Sequence, residues 1–190
     1  HLEALLFTHE HKDHVAGLDD VRAFNFKQNR HMPIYATKFV QQTLKREFLY
    51  AFAHDLYPGV PLLKLETIEA GNEFIVDGVK ILPIEVMHGK LPVMAYRIGD
   101  FSYITDANAI KPESMQLLRG TKVLVLNALR STPHHSHFSL EEAIRIAQDL
   151  GAEKTYFTHI SHLLGKHREM QEQLPPGMWL AYDGLSLEVR

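Results

Sequence analysis

Cysteine is absent from this chain of 190 residues. Its absence excludes disulfides, thiolate metal sites and a cysteine nucleophile, and it agrees with a reducing compartment, so a cytoplasmic protein is expected. Also missing is any apolar run near the roughly 20 residues that cross a bilayer, which excludes a transmembrane helix and makes a membrane partner unexpected. Basic charge is not in excess. Lys and Arg number 20 against 23 Asp and Glu, for a net charge of −3, so nothing points to gripping nucleic acid by charge. Low-complexity runs, charge blocks and repeats are lacking too. What remains is an ordinary globular balance, 45% apolar and 23% charged, which fits one domain over residues 1–190 with a real core. Histidine is the abundance that stands out, at 13 residues. The chain opens at His1 with neither Met nor a signal-peptide pattern, and it reads as part of a longer polypeptide whose first strands are missing. A sheet edge left open by such a gap would favour pairing with another chain, a homodimer included.

The pattern predicts strands alternating with helices. Leu2 to Thr8 is an apolar run of buried-strand length. With Asp13 as N-cap, Val15 to Phe24 reads as a short helix. Pro33 to Ala36 is a strand, and Thr37 caps a helix with Val40, Leu44 and Phe48 at helical spacing. From about Leu62 to Met94 the chain is β-rich, with Asp77-Gly78 at a hairpin turn. A second hairpin is expected around Gly99-Asp100, a buried strand at Val123 to Leu126 and another at Thr155 to Thr158. Ser139 and Glu142 form a capping box for a helix from Leu140 to Leu150 that Gly151 ends. A last hairpin is expected around Asp183-Gly184. Met32, Met87 and Met94 read as core filler. The sum is a layered α/β fold with antiparallel content.

The chemistry concentrates in Thr8-His9-Glu10-His11-Lys12-Asp13-His14. On an extended chain His9 and His11 point to one side and can share a metal ion. The turn into a helix then lets Asp13 and His14 face a second ion. Imidazole and carboxylate without thiolate suit Zn²⁺, Mn²⁺ or Fe²⁺ and leave positions open for water. Further ligands must come from elsewhere. His88, Asp106 and His159 each stand where an apolar strand runs out, at one rim of a sheet.

Thr-His-x-His-x-Asp-His followed by a lone His, a lone Asp and a final His resembles the ligand series of the metallo-β-lactamase superfamily. The resemblance implies a four-layer αβ/βα sandwich with a dinuclear site at one edge of its two sheets. It also implies that His9, His11 and His88 bind one ion, that Asp13, His14 and His159 bind the other, and that Asp106 bridges them. The commonest dizinc β-lactamases use Cys where this chain has Asp106, so β-lactam hydrolysis is not expected. An Asp bridge is instead similar to phosphodiesterases, tRNA 3′-processing nucleases and lactonases.

A second cluster, His134-His135-Ser136-His137, precedes the capped helix. Leu126-Asn127-Ala128-Leu129-Arg130 leading into it resembles the phosphoribosyl 1,2-cyclic phosphate phosphodiesterases of phosphonate breakdown. There a non-ligand His near this place serves phosphodiester cleavage, a role that falls to His137, with His135 and then His134 as the other candidates. His31, His54 and His167 read as surface residues. Arg130 reads as solvated, with phosphate binding as its alternative, and His162 as a loop residue, with a hydrogen bond to a ligand as its alternative. The expected activity is metal-dependent cleavage of a small cyclic phosphodiester. A metal-bridging hydroxide would be the nucleophile, Asp13 would orient the water, and His137, at an ordinary pKa near 6.5, would protonate the leaving alkoxide. The alternatives are an RNA 3′-processing nuclease, a lactonase or thioester hydrolase on the same site, and a non-catalytic metal-binding domain.

Overall fold

The computed structural model describes residues 1–53 and 57–189, and backbone contacts divide the chain into two compact units, His1–Val79 and Lys80–Arg190. The first unit runs β1 (Leu5–Leu6), α1 (Lys12–Val15), a 3-10 stretch (Ala16–Val21), α2 (Arg22–Gln28), β2 (Met32–Ala36), α3 (Lys38–Glu47), β3 (Leu63–Thr67) and β4 (Phe74–Val76). Strands β1, β2 and β3 form an all-parallel sheet with Leu5 opposite Ile34 and Ile34 opposite Leu65. Period-two alternation sends Met32, Ile34 and Ala36 of β2 inward, all fully buried. They pack with Val15, Leu18, Val40, Leu44 and Phe48. Thr37 caps α3 as its sequence predicts, its hydroxyl accepting from the Val40 amide at 3.3 Å.

Three expectations for this unit need correction. The strand from Leu2 to Thr8 shrinks to two residues. Gln28 takes both the Leu2 amide and its carbonyl with its side chain (2.7 and 2.9 Å), so no ladder forms there. Phe7 still reaches Tyr35 (3.0 Å) before the chain leaves the sheet. The helix from Val15 to Phe24 is instead broken into α1, the 3-10 stretch and α2, which extends to Gln28 and ends at Asn29 in the left-handed region. Gly17 and the Asp19-Asp20 pair sit in the tightened segment, and neither favours an α-helix interior. His11, not Asp13, holds the N-cap position. Asp13 lies in the first turn, where its charge favours the helix dipole.

The second unit carries β5 (Val79–His88), β6 (Leu91–Ile98), β7 (Phe101–Ile104), α4 (Pro112–Leu118), β8 (Val123–Asn127), α5 (Leu140–Leu150), β9 (Lys154–Thr158), α6 (His167–Gln171) and β10 (Met178–Leu180). These strands lie in the order β10-β9-β8-β7-β6-β5. The hairpins β5-β6 and β6-β7 are antiparallel, whereas β7 to β10 run parallel. The turn into β5 is Asp77-Gly78 with φ of 46° and 79°, the left-handed pair a two-residue hairpin turn requires. Ile84, Val86, Leu124, Leu126 and Phe157 are fully buried and form the core with Ala143, Ala147 and Phe138. Met32 and Met94 are buried as expected and Met87 is half-buried.

The last expected hairpin does not form. β10 pairs in parallel with β9, and residues 183–189 hold no strand. Gln171 of α6 occupies the outer edge of β10, donating to the Met178 carbonyl (3.2 Å) and accepting from the Leu180 amide (2.8 Å), so that edge is covered. The helices α4 and α6 are not read from the sequence. Both are short, and α6 buries no residue and so has no apolar stripe. Among the described residues no helix is long and apolar enough to cross a membrane.

The capping box of α5 is complete. The Ser139 hydroxyl accepts from the Glu142 amide, and the Glu142 carboxylate accepts from the Ser139 amide at 2.8 Å. Replacing Ser139 by Ala should therefore lower stability by about 1 kcal/mol, seen as a lower urea midpoint at unchanged slope. An unchanged midpoint would show that the cap contributes nothing.

Candidate metal centre

In the first unit, Thr8 leads the chain out of the sheet and delivers His9 fully buried. The Thr8 hydroxyl lies 3.0 Å from His9 Nδ1, which turns His9 Nε2 towards His11 Nδ1, also at 3.0 Å. The first turn of α1 then brings His14 against His9, ring centroids 4.2 Å apart, with Asp13 Oδ2 3.3 Å from His14 Nε2. The four donors of the sequence motif therefore do converge. Ring nitrogens this close, beside a carboxylate and with no thiolate, are a donor set suited to a borderline divalent cation.

In the second unit, His88 ends β5, Asp106 stands two residues beyond β7, and His159 directly follows β9. Because β7, β8 and β9 are parallel neighbours, Asp106 and His159 share one rim. Both are in the left-handed region, with φ of 56° and 54°, a conformation that costs a side-chain-bearing residue roughly 1–2 kcal/mol. Buried Asn127 holds the first of these turns. Its Oδ1 accepts from the Ala107 amide (2.8 Å), and its Nδ2 donates to the Ala107 carbonyl (2.9 Å). Thr105 donates its hydroxyl to Asp106 Oδ1 at 2.8 Å. The nearly buried Asp106 carboxylate presents Oδ1 to His159 Nε2 at 3.2 Å and Oδ2 to His88 Nε2 at 3.9 Å. One oxygen towards each imidazole is the disposition a bridging carboxylate needs. His88 Nδ1 is 2.7 Å from the Ser136 carbonyl. It must donate there, which leaves Nε2 as the ligating nitrogen.

His137 sits between the two, its ring 4.5 Å from that of His88 and 4.9 Å from that of His159. Asp106, His137 and His159 each offer a ligand atom, all within 4.8 Å of one another. His137 Nδ1 is buried with no hydrogen-bond partner among the described residues. Burial pushes its pKa down to about 4; the Asp106 carboxylate opposes that shift, and His88, His159 and His134 add to it. The ring is thus neutral at pH 7 before substrate binds, a correction to the ordinary value near 6.5. His134 lies 5.1 Å from His137 and 4.3 Å from the exposed His135, and burial lowers its pKa ahead of the nearby charges.

Arg130 is not a freely solvated side chain. It folds back on its own loop, donating to the carbonyls of Thr132 (3.2 Å) and Pro133 (2.8 Å). His162, His31 and His167 are exposed, and His54 lies outside the described residues. Asn127, Asn108 and Thr105, which hold the rim in shape, were not singled out from the sequence. The available signal was a polar residue closing an apolar strand, as Asn127 closes Val123–Asn127.

Residues 1–160 match the family described as the Beta-lactamase superfamily domain. The crystal structure of a diphosphatase from the PhnP family is 39% identical, with a TM-score of 0.88 over 96% of this chain and 69% of that one. An octanoyltransferase from Porphyromonas gingivalis is 37% identical over 97% of this chain, which spans only 37% of that protein's length. A ribonuclease Z from Methanopyrus kandleri is 23% identical over the whole chain and 80% of its own length. The ligand motif, the α/β architecture and the extent of these matches agree, and the chain belongs to the metallo-β-lactamase superfamily of hydrolases, with the metallo-β-lactamase fold and a PhnP-like sequence.

Proposed function

We propose that the chain is one hydrolase domain with a dinuclear metal centre that cleaves a phosphodiester, its substrate a small cyclic phosphate such as a phosphoribosyl cyclic phosphate. The observation that carries this reading is Asp106, one oxygen turned to His88 and the other to His159, with His137 beside all three. In this reading His9, His11 and His88 hold one ion, Asp13, His14 and His159 hold the other, and Asp106 serves both. Zn²⁺ and Mn²⁺ both accept imidazole and carboxylate ligands, and availability as well as affinity decides between them. When bound, two such ions supply fixed positive charge that polarises the phosphoryl group and makes a neighbouring water more acidic.

The rest of the chemistry belongs to the protein. Asn127 and Thr105 keep the Asp106 carboxylate aimed, so no reorganisation is needed as charge develops. The Ser136 carbonyl holds His88 in one tautomer. His137 stands within reach of the same space and protonates the departing alkoxide. An anionic phosphodiester beside the ring favours its charged form and opposes the lowering by burial. The diphosphatase relative supports hydrolysis at a phosphoryl centre. The octanoyltransferase relative does not bear on this chain's activity, because the chain spans only 37% of that protein.

A second reading, an RNA 3′-processing nuclease, is favoured by the ribonuclease Z similarity but receives no support from the net charge of −3. One experiment separates the readings. The metal-loaded protein is offered bis-p-nitrophenyl phosphate, a 2′,3′-cyclic nucleotide, a short RNA, a lactone and a thioester, with metal content measured on the same sample. Two ions per chain are expected, with the highest kcat/KM on a small phosphodiester, activity lost on chelation and restored by Zn²⁺ or Mn²⁺. A higher kcat/KM on RNA would favour the nuclease. A higher value on the lactone or thioester, or one ion or fewer, would overturn the proposal.

A further inference from the structure

We propose that Asn108 is a positioning residue for His137, tying the loop that carries His137 to the turn that follows His88; this rests on the phosphodiesterase reading above. Asn108 comes two residues after Asp106. Its backbone is fixed, its amide donating to the Met87 carbonyl at 2.8 Å, and the preceding residue accepts at its carbonyl from the Phe138 amide at 2.7 Å. Both ends of its side chain are engaged. Oδ1 accepts from the Gly89 amide at 2.7 Å, and Nδ2 donates to the His135 carbonyl at 3.1 Å. One half-exposed amide therefore joins the β5–β6 turn to the histidine loop.

The two segments are in close approach. Gly89 has φ +61°, and a Cβ placed there would lie 3.5 Å from the Ser136 Cβ and 3.9 Å from the His135 carbonyl. The successive carbonyls of His135 and Ser136 thus receive one bond each, from Asn108 and from His88. His137 is the next residue. With Nδ1 of its own ring unpartnered, the ring is located by packing between His88 and His159 and by these backbone ties rather than by a side-chain bond. The His88 tie is inseparable from that residue's place in the metal set, and the Phe138 amide is held by main chain alone, which leaves Asn108 as the side-chain tie that a substitution can test. A proton donor must sit within hydrogen-bond reach of the departing oxygen, and a loop released by even an ångström loses much of that advantage.

Three variants test this. Asn108→Ala removes both bonds. Asn108→Asp keeps the acceptor for Gly89 and loses the donor for His135, with almost no change in shape, so it guards against a mere folding failure. The third adds Asn108→Ala to His137→Ala. Both single variants are expected to keep the full metal content and an unchanged KM, and to lose up to about 10²-fold in kcat on a sugar cyclic phosphate, the cost of roughly an ångström of misplacement. Amide hydrogen exchange across residues 134–137 should be faster in both. The double variant should be no slower than His137→Ala alone, because groups acting as a unit are not additive. Unchanged exchange, lost metal, or a fully additive double variant would overturn the proposal. If His137→Ala is itself without effect, the assignment of His137 as proton donor fails, while the exchange rates still decide whether Asn108 holds the loop.

Discussion

Replacing His159 by Ala is expected to remove metal and activity together, for every substrate the protein hydrolyses. His159 follows β9 at the rim, with Nε2 3.2 Å from Asp106 Oδ1, so the imidazole and the carboxylate face the same space. Partners one step removed from a metal are typically worth about 10–100-fold in affinity or activity, and loss of a ligand should exceed that. The backbone offers a competing explanation, because φ at His159 is 54°, a region in which His, like Asn and Asp, is enriched and Ala is not. Asn tolerates that region better than most residues, so His159→Asn relieves most of the strain without restoring an imidazole. Elemental analysis should then find both variants depleted of metal, with the Asn variant the more stable to urea. If His159→Asn retains two ions and near-normal turnover, His159 is not a ligand and the backbone turn is what matters there.

The strand ends that carry His88, Asp106 and His159 were legible because each closes an apolar run, and apolar runs such as Val123–Asn127 and Lys154–Thr158 do become strands whose inward residues are buried. The motif from His9 to His14 was legible for a different reason: its donors are neighbours in sequence, so one turn of chain suffices to gather them. Boundaries that depend on a distant side chain were not legible. The strand at Leu2 is cut short by Gln28, and the hairpin at Asp183-Gly184 is forestalled by Gln171 on the edge of β10; neither glutamine differs by composition from any surface polar residue. The same limit hid Asn127 and Asn108. Their partners are the backbone of Ala107, Gly89 and His135, between 19 and 27 residues away, and a backbone amide or carbonyl leaves no mark in the sequence. It also hid the state of His137, whose pKa is lowered first by burial and then by His88 and His159, both distant in sequence.

His137 is the residue whose replacement should separate proton donation from metal binding. It lies close enough to Asp106 and His159 to offer a ligand atom to the same ion, so metal content must be read first. If it is the proton donor, His137→Ala keeps both ions, and the damage then depends on how much the leaving group needs a proton. A p-nitrophenolate, whose conjugate acid has a pKa of about 7, departs unaided, whereas a sugar alkoxide does not. Help from a general acid is typically worth about 10²–10⁴-fold. The variant should lose roughly that much kcat on a sugar cyclic phosphate and far less on bis-p-nitrophenyl phosphate. His135→Ala, changed at an exposed ring in the same loop, should lose little on either. Equal losses on both substrates with metal intact would instead make His137 a phosphate-binding group. Depleted metal would make it a ligand. Unchanged rates on both would remove it from the chemistry and leave its ring as packing between His88 and His159.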